Sequence, residues 1–262
     1  MLRKLIGFEF RATRRVFLPA YLILLALAVL NGISMALTDS GITLPSGLLI
    51  AVYGAVVLAV CGMSLVYMIV RYYRNLLGDE GYLMFTQPVR PWQLLWSKAI
   101  VSAVWMICTG ILCAVTLFVI LIPSIFTNMQ DWLSFLWIWD DLKQGIAQAV
   151  STYGYSVWLV PVEALLLGFW AVVEFCMEVY AALSLGQLAN RYRLGWAFAA
   201  YIGFAVVEAI LGSVLQKIPP IDLGPTLNLH LVLCGMLLVV LLQIVVYFLI
   251  SNYLLNNKLN LQ

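Results

Sequence analysis

Four glutamates sit where glutamate is costly. Glu163, Glu174, Glu178 and Glu208 all fall inside long apolar stretches, and a charge at the centre of a bilayer costs about 2.5–3.5 kcal/mol on insertion scales. Such residues are expected to face a partner or water. At about 100° per residue, Glu174 lies roughly 20° and Glu178 roughly 60° around a helix from Glu163. The three therefore share one helical face with Leu167 and Trp170. One reading is that this stripe lines a cavity or subunit interface and meets a cationic or polar substrate. Glu163, Trp170, Glu174, Glu178 and Glu208 are then the candidate pathway residues. Another is that Glu163 and Glu178 lie near opposite ends and reach water, leaving only Glu174 deep; a third is a neutral, protonated Glu174 bonded to another helix.

Other chemistry is sparse. The only histidine is His230, at the start of the last apolar stretch. No carboxylate or cysteine cluster adjoins it in sequence, so a capping or interfacial role is expected rather than a metal site. Cys61, Cys108, Cys113, Cys176 and Cys234 all lie in apolar stretches without a Cys-x-x-Cys pair, as small packing residues do. There is no Gly-x-x-x-x-Gly-Lys-Ser/Thr phosphate loop, no Gly-x-Ser-x-Gly elbow and no His-Glu-x-x-His helix. No catalytic residue, metal site or bound cofactor is expected, and the chain does not read as an enzyme.

The elements that must position these residues are membrane helices. Of 262 residues, 64% are hydrophobic and 10% charged, whereas soluble domains average about 25% charged. A soluble protein this apolar could not cover its surface. A bilayer-spanning helix needs roughly 20 apolar residues. Six stretches meet that length: Leu18 to Leu37, Leu48 to Val70, Ala99 to Leu121, Val157 to Leu185, Leu194 to Leu215, and Leu231 to Ile250. A seventh apolar piece, Trp132 to Trp139, is too short to span, and its tryptophans suit the lipid–water interface. The expected fold is an all-α membrane protein in one domain over residues 1–262, with about six transmembrane helices.

Basic residues give the orientation. Arg3, Lys4, Arg11, Arg14, Arg15, Arg71, Arg74, Arg90, Lys98, Arg191, Arg193 and Lys258 fall on one side of the six spans. Only Lys143 and Lys217 fall on the other, with Asp39, Asp131, Asp140, Asp141 and Asp222. Both termini are thus expected in the cytoplasm, and residues 122–156 form an outer loop. Basic residues scattered before an apolar stretch, with no clear cleavage site, argue that the first span is retained rather than removed as a signal peptide. Within residues 1–17, Leu2, Leu5, Ile6 and Phe10 recur at helical spacing among basic residues. That pattern suits an amphipathic helix on the cytoplasmic leaflet, with Pro19 where the chain turns into the bilayer. The net charge of +2 is small and its basic residues are spread over several loops, which gives no sign of nucleic-acid binding.

The loop over residues 71–98 reads RYYRNLLGDEGYLMFTQPVRPWQLLWSK. Gly78, Asp79, Glu80 and Gly81 form an acidic turn. Tyr82, Leu83, Met84 and Phe85 follow as an apolar cluster, and Pro91 can open the next helix at its first turn. Such a cluster must bury itself, either against its own bundle and the membrane surface or against a cytoplasmic partner.

This loop resembles that of the type 2 ABC transporter permeases of Gram-positive bacteria. In that family an aromatic and basic span end runs into a Gly/Ser-Asp-Glu-Gly-Tyr-Leu turn. Thr-x-Pro-Val, Gln-Leu-Leu and Ser-Lys follow. The tail SNYLLNNKLNLQ is similar to the family's Asn-Tyr-x-Leu-x-x-Lys-Leu-Asn-Leu ending. Gln87 and Arg90-Pro91 depart from the pattern, where an apolar residue and a small polar pair are usual. The resemblance implies a permease subunit of an exporter for peptides, lipids or hydrophobic compounds in the bacterial cell membrane. It implies a second permease subunit, identical or homologous, and cytoplasmic ABC ATPase subunits that bind ATP and Mg. It also implies a cytoplasmic coupling helix that docks on the ATPase, at Asp79, Glu80, Gly81, Tyr82, Leu83, Met84, Phe85 and Thr86. The competing readings are a non-transporting membrane anchor or signalling partner of an ATPase, and a proton-coupled carrier using Glu174 and Glu208.

Overall fold

The computed structural model describes residues 2–39, 46–78, 90–127, 129–189, 191–215, 217 and 224–257. Among them run seven long helices: α1 (Leu2–Asp39), α2 (Ser46–Tyr72), α3 (Pro91–Thr127), α4 (Met129–Tyr153), α5 (Val160–Gly186), α6 (Arg193–Leu215) and α7 (Pro225–Asn257). A π-turn, Tyr73–Leu77, extends α2, and a 3₁₀ turn, Tyr155–Leu159, leads into α5. No strand occurs among the described residues. All but α4 are long and apolar enough to cross a bilayer. Helices are the only open-ended elements that satisfy every backbone N–H and C=O without water. The chain is therefore an all-α, multi-pass membrane protein.

The helices outrun the apolar stretches that announce them. The third span was expected from Ala99, yet α3 begins at Pro91, whose missing N–H costs nothing in a first turn. Hydropathy marks only the part that matches hydrocarbon, while the backbone ladder continues through polar ends. At the N-terminus no break separates residues 1–17 from the first span. Leu2–Asp39 is one helix with Pro19 inside it, although proline removes one ladder hydrogen bond. Much of the expected outer loop is helical too, as α4. Its Trp137, Ile138 and Trp139 are exposed beside Asp140, Asp141 and Lys143, an arrangement suited to the lipid–water interface.

The chain forms two compact units. One comprises Phe10–Val66 and Val104–Thr152. Here Trp105 stacks on Phe10 and Phe17, with ring centroids 4.8 and 4.5 Å away, and its Nε1 donates to Thr13 Oγ1 at 2.7 Å. Thr109 hydrogen-bonds Tyr21 at 2.7 Å and Ser64 at 3.0 Å. Thr116 meets Tyr53 at 2.8 Å. Apolar area alone does not drive helices together in lipid, so small polar contacts of this kind matter.

The other unit comprises Met1–Glu9, Tyr67–Ala103 and Tyr153–Gln262. In it α5 packs against both α6 and α7. The turn from α5 to α6 is tight. A Cβ on Gly186 would lie 2.5 Å from the Arg193 carbonyl oxygen and 2.7 Å from the Ala197 Cβ. Backbone on one side and a helix on the other cannot both yield. Gly186→Ala is expected to destabilise the protein by about 1–3 kcal/mol, the usual range for overpacking. A lowered midpoint in detergent thermal denaturation measures it, and an unchanged midpoint would contradict this packing.

Candidate functional site

The eight expected docking residues, Asp79 to Thr86, lie outside the described residues. The roots of their loop are described, and they are heavily tied. Glu9, on α1, accepts hydrogen bonds from the Arg71 Nε at 2.6 Å and the Lys98 Nζ at 2.8 Å. Arg71 closes α2 and Lys98 lies in the second turn of α3. The two carboxylate oxygens divide the cations, Oε2 taking Arg71 and Oε1 taking Lys98. Glu9 is 8% exposed and Lys98 3%. Arg71 also donates to the Tyr67 hydroxyl at 3.0 Å.

A second set of bonds ties the same roots to α5. Tyr72 stacks on Tyr180 with centroids 4.0 Å apart, and its hydroxyl meets Ser184 Oγ at 2.7 Å. Ser102, on α3, bonds the Tyr180 hydroxyl at 2.8 Å. Both tyrosines are almost wholly buried. The π-turn between Tyr72 and Gly78 keeps Leu76 and Leu77 buried as the chain leaves α2. Insertions of this kind recur at functional sites in helices.

The expected acidic stripe divides. Glu163 sits in the first turn of α5 and pairs with His230, whose Nδ1 is 2.9 Å from both carboxylate oxygens. No carboxylate adjoins His230 in sequence, but the fold brings it one from 67 residues away. Glu174 and Glu178, one turn apart on α5, instead meet Glu208 of α6. One carboxylate oxygen from each lies within 4.8 Å of the others. Of the residues flanking the stripe, Trp170 meets Phe169 edge-on at 5.3 Å.

Helix α7 orients Glu208. Its Oε1 accepts from the Tyr247 hydroxyl at 2.5 Å and the Gln243 Nε2 at 3.1 Å. Gln243 and Tyr247 are four residues apart and so share a face. Phe204, one turn before Glu208, lies against the Tyr247 ring at 5.0 Å. Among the described residues no lysine, arginine or histidine pairs with Glu174, Glu178 or Glu208. The group is thus three carboxylates gathered from two helices and steadied by a third.

Comparison of the chain with protein-family models, with curated proteins and with solved structures gives no match.

Sequence reasoning missed Glu9, Tyr72, Ser102, Tyr180, Ser184, Gln243 and Tyr247. One signal was present for Glu9: it is the only acid among five basic residues in the first fifteen. Polar residues in the apolar spans, Gln243 above all, were the signal for the α7 partners.

The Glu9 cluster and the Asp140–Lys143 pair provide a contrast. The latter is 3.2 Å long with both side chains well over half exposed, and such pairs contribute about 0–1 kcal/mol. Removing one partner from a buried cluster costs about 3–5 kcal/mol. Glu9→Ala is therefore expected to lower the thermal midpoint in detergent substantially, and Asp140→Ala to leave it nearly unchanged. Equal effects would show that Glu9 is not held as described.

Proposed function

We propose that this chain is the membrane permease subunit of an ABC exporter, working with a second permease subunit and with separate cytoplasmic ATPase subunits. The reading rests on the segment from Arg71 to Lys98. Its residue pattern is that of a docking loop, and both of its roots are fastened to the rest of their unit. A loop that passes force from an ATPase needs such roots, because a loosely held one would bend instead of transmitting. The six spans and the missing phosphate loop fit the same division of labour. Cargo in this reading is a peptide, lipid or hydrophobic compound, and the docking residues are Asp79 to Thr86.

A second reading is a proton-coupled carrier. The observation in its favour is that Glu174 and Glu208 come together with Glu178 inside the spans, where carboxylates serve proton relays. Recovery of an ATPase with the chain separates the two readings.

Tagged chain purified from its native membranes is expected to bring an ATPase with it. Buried aromatic anchors at interfaces are each worth about 2 kcal/mol or more, and 1.4 kcal/mol is tenfold in affinity. The double variant Tyr82→Ala, Phe85→Ala is therefore expected to insert and fold normally while ATPase recovery falls at least about tenfold. Undiminished recovery would place docking elsewhere, and no ATPase in the wild-type preparation would count against the permease reading itself.

A further inference from the structure

We propose that Glu174, Glu178 and Glu208 form an intramembrane binding site for a hard divalent cation of calcium size. The proposal is independent of the permease reading, since the site is built entirely from α5, α6 and α7.

The first argument is geometric. Calcium binds oxygen ligands at about 2.3–2.6 Å, so two ligand oxygens on one ion lie no more than about twice that distance apart. Three carboxylate oxygens within 4.8 Å of one another come within the upper part of that limit. Magnesium binds at about 2.0–2.1 Å and demands near-ideal octahedral geometry, whereas calcium accepts a flexible set of oxygen ligands, as three carboxylates from two helices would supply.

The second argument is the state of the carboxylates themselves. Glu178 is 5% exposed, and no donor among the described residues reaches it. The Oε1 of Glu174 is buried and also lacks a hydrogen-bond partner. Buried polar groups are almost always satisfied, and a buried carboxyl group is satisfied by donors, by a cation, by metal coordination or by taking up a proton. Glu9 and the partly buried Glu163 show that this chain supplies basic partners to other acids in its helices. Glu178 and Glu174 converge instead on an acidic neighbour.

The third argument is the donor set. Three carboxylates offer oxygen where a hard ion requires it. Tyr247 and Gln243 bond Glu208 and hold its orientation, as groups behind a ligating carboxylate do. Glu174 and Glu208 are only partly buried, which leaves the group an opening. At about 1.5 Å per residue, Glu174 is roughly 18 Å along α5 from Gly186, and Glu208 roughly 22 Å along α6 from Arg193. Both therefore lie well inside their spans.

The test uses the full-length protein in detergent, stripped with chelator. Terbium luminescence excited through the aromatic side chains reports occupancy, and calcium or magnesium is added as competitor. Calcium is expected to displace one terbium per chain, magnesium to do so at least tenfold less effectively, and calcium to raise the thermal midpoint as its concentration rises. Glu178→Gln and Glu208→Gln are each expected to weaken calcium binding at least tenfold, with Asp140→Asn, on the exposed α4, unchanged. If the glutamine variants fail to fold, the wild-type titration still decides. No calcium-displaceable terbium up to millimolar calcium overturns the proposal, and so does stoichiometric binding that survives Glu178→Gln in a folded protein. Protection by an alkylammonium ion with none by calcium overturns it too, and marks the group as a lining for cationic cargo.

Discussion

A charge placed among apolar helices must be answered by its surroundings, and this molecule is organised around four such answers. Glu9 is met by Arg71 and Lys98, Glu163 by His230, and Glu208 by Tyr247 and Gln243. Glu174 and Glu178 are met by another carboxylate. The first three are solutions by pairing, each joining segments distant in sequence. Lipid offers helices no apolar gain for associating, so such polar contacts select which helix lies beside which. The fourth leaves three carboxyl groups gathered in one place, which is why it invites a ligand rather than a purely structural explanation.

The spans were legible in the sequence because their signal is local. Twenty apolar residues in a row need no knowledge of neighbours, and Pro91 announced its helix start by its own chemistry. The stripe on α5 was legible only in part, for a geometrical reason. Helical periodicity gives a side chain's direction but says nothing of depth. Glu163 and Glu174 point within roughly 20° of each other, yet eleven residues separate them by about 16 Å along the axis. Two carboxylates that far apart cannot share a site. Glu163 therefore answers to the start of α7, through His230, while Glu174 and Glu178 answer to the middle of α6. Knowing that required the pairing of helices, which a single sequence does not contain.

Glu9 illustrates the same limit at the N-terminus. Read along the chain, it is one acid among basic residues, and at about 100° per residue it falls on the same face as Leu2, Leu5, Ile6 and Phe10. Its partners lie 62 and 89 residues away, and only the fold reveals that they stand at the two ends of one loop. Leu2, Leu5, Ile6 and Phe10 show which face is apolar. Glu9 lies within that face, seven residues after Leu2, so the pattern hints at its burial, but the periodicity of one helix does not say which residues answer it.

Helix α5 is common to the loop roots and the carboxylate group. Tyr180 and Ser184 hold the end of α2 and, through Ser102, the start of α3. Glu174 and Glu178 precede Tyr180 on the same helix by six residues and two. A helix rises about 1.5 Å per residue, so the two sets of contacts lie within roughly 15 Å along one element. Tyr180 is clamped on two sides, by the Tyr72 ring and the Ser102 hydroxyl, so α5 cannot rotate there without disturbing both roots. The same rotation would swing Glu174 and Glu178 away from Glu208, which α7 holds in place. If the loop between those roots is where an ATPase docks, a force on it reaches the carboxylates through a single stiff helix and a pair of buried tyrosines. Occupancy of the carboxylates would in turn resist that movement, because a bound cation ties α5 to α6 across the group. Coupling between sites is reciprocal by thermodynamic necessity, and the contacts of α5 would give such coupling a continuous route inside one compact unit.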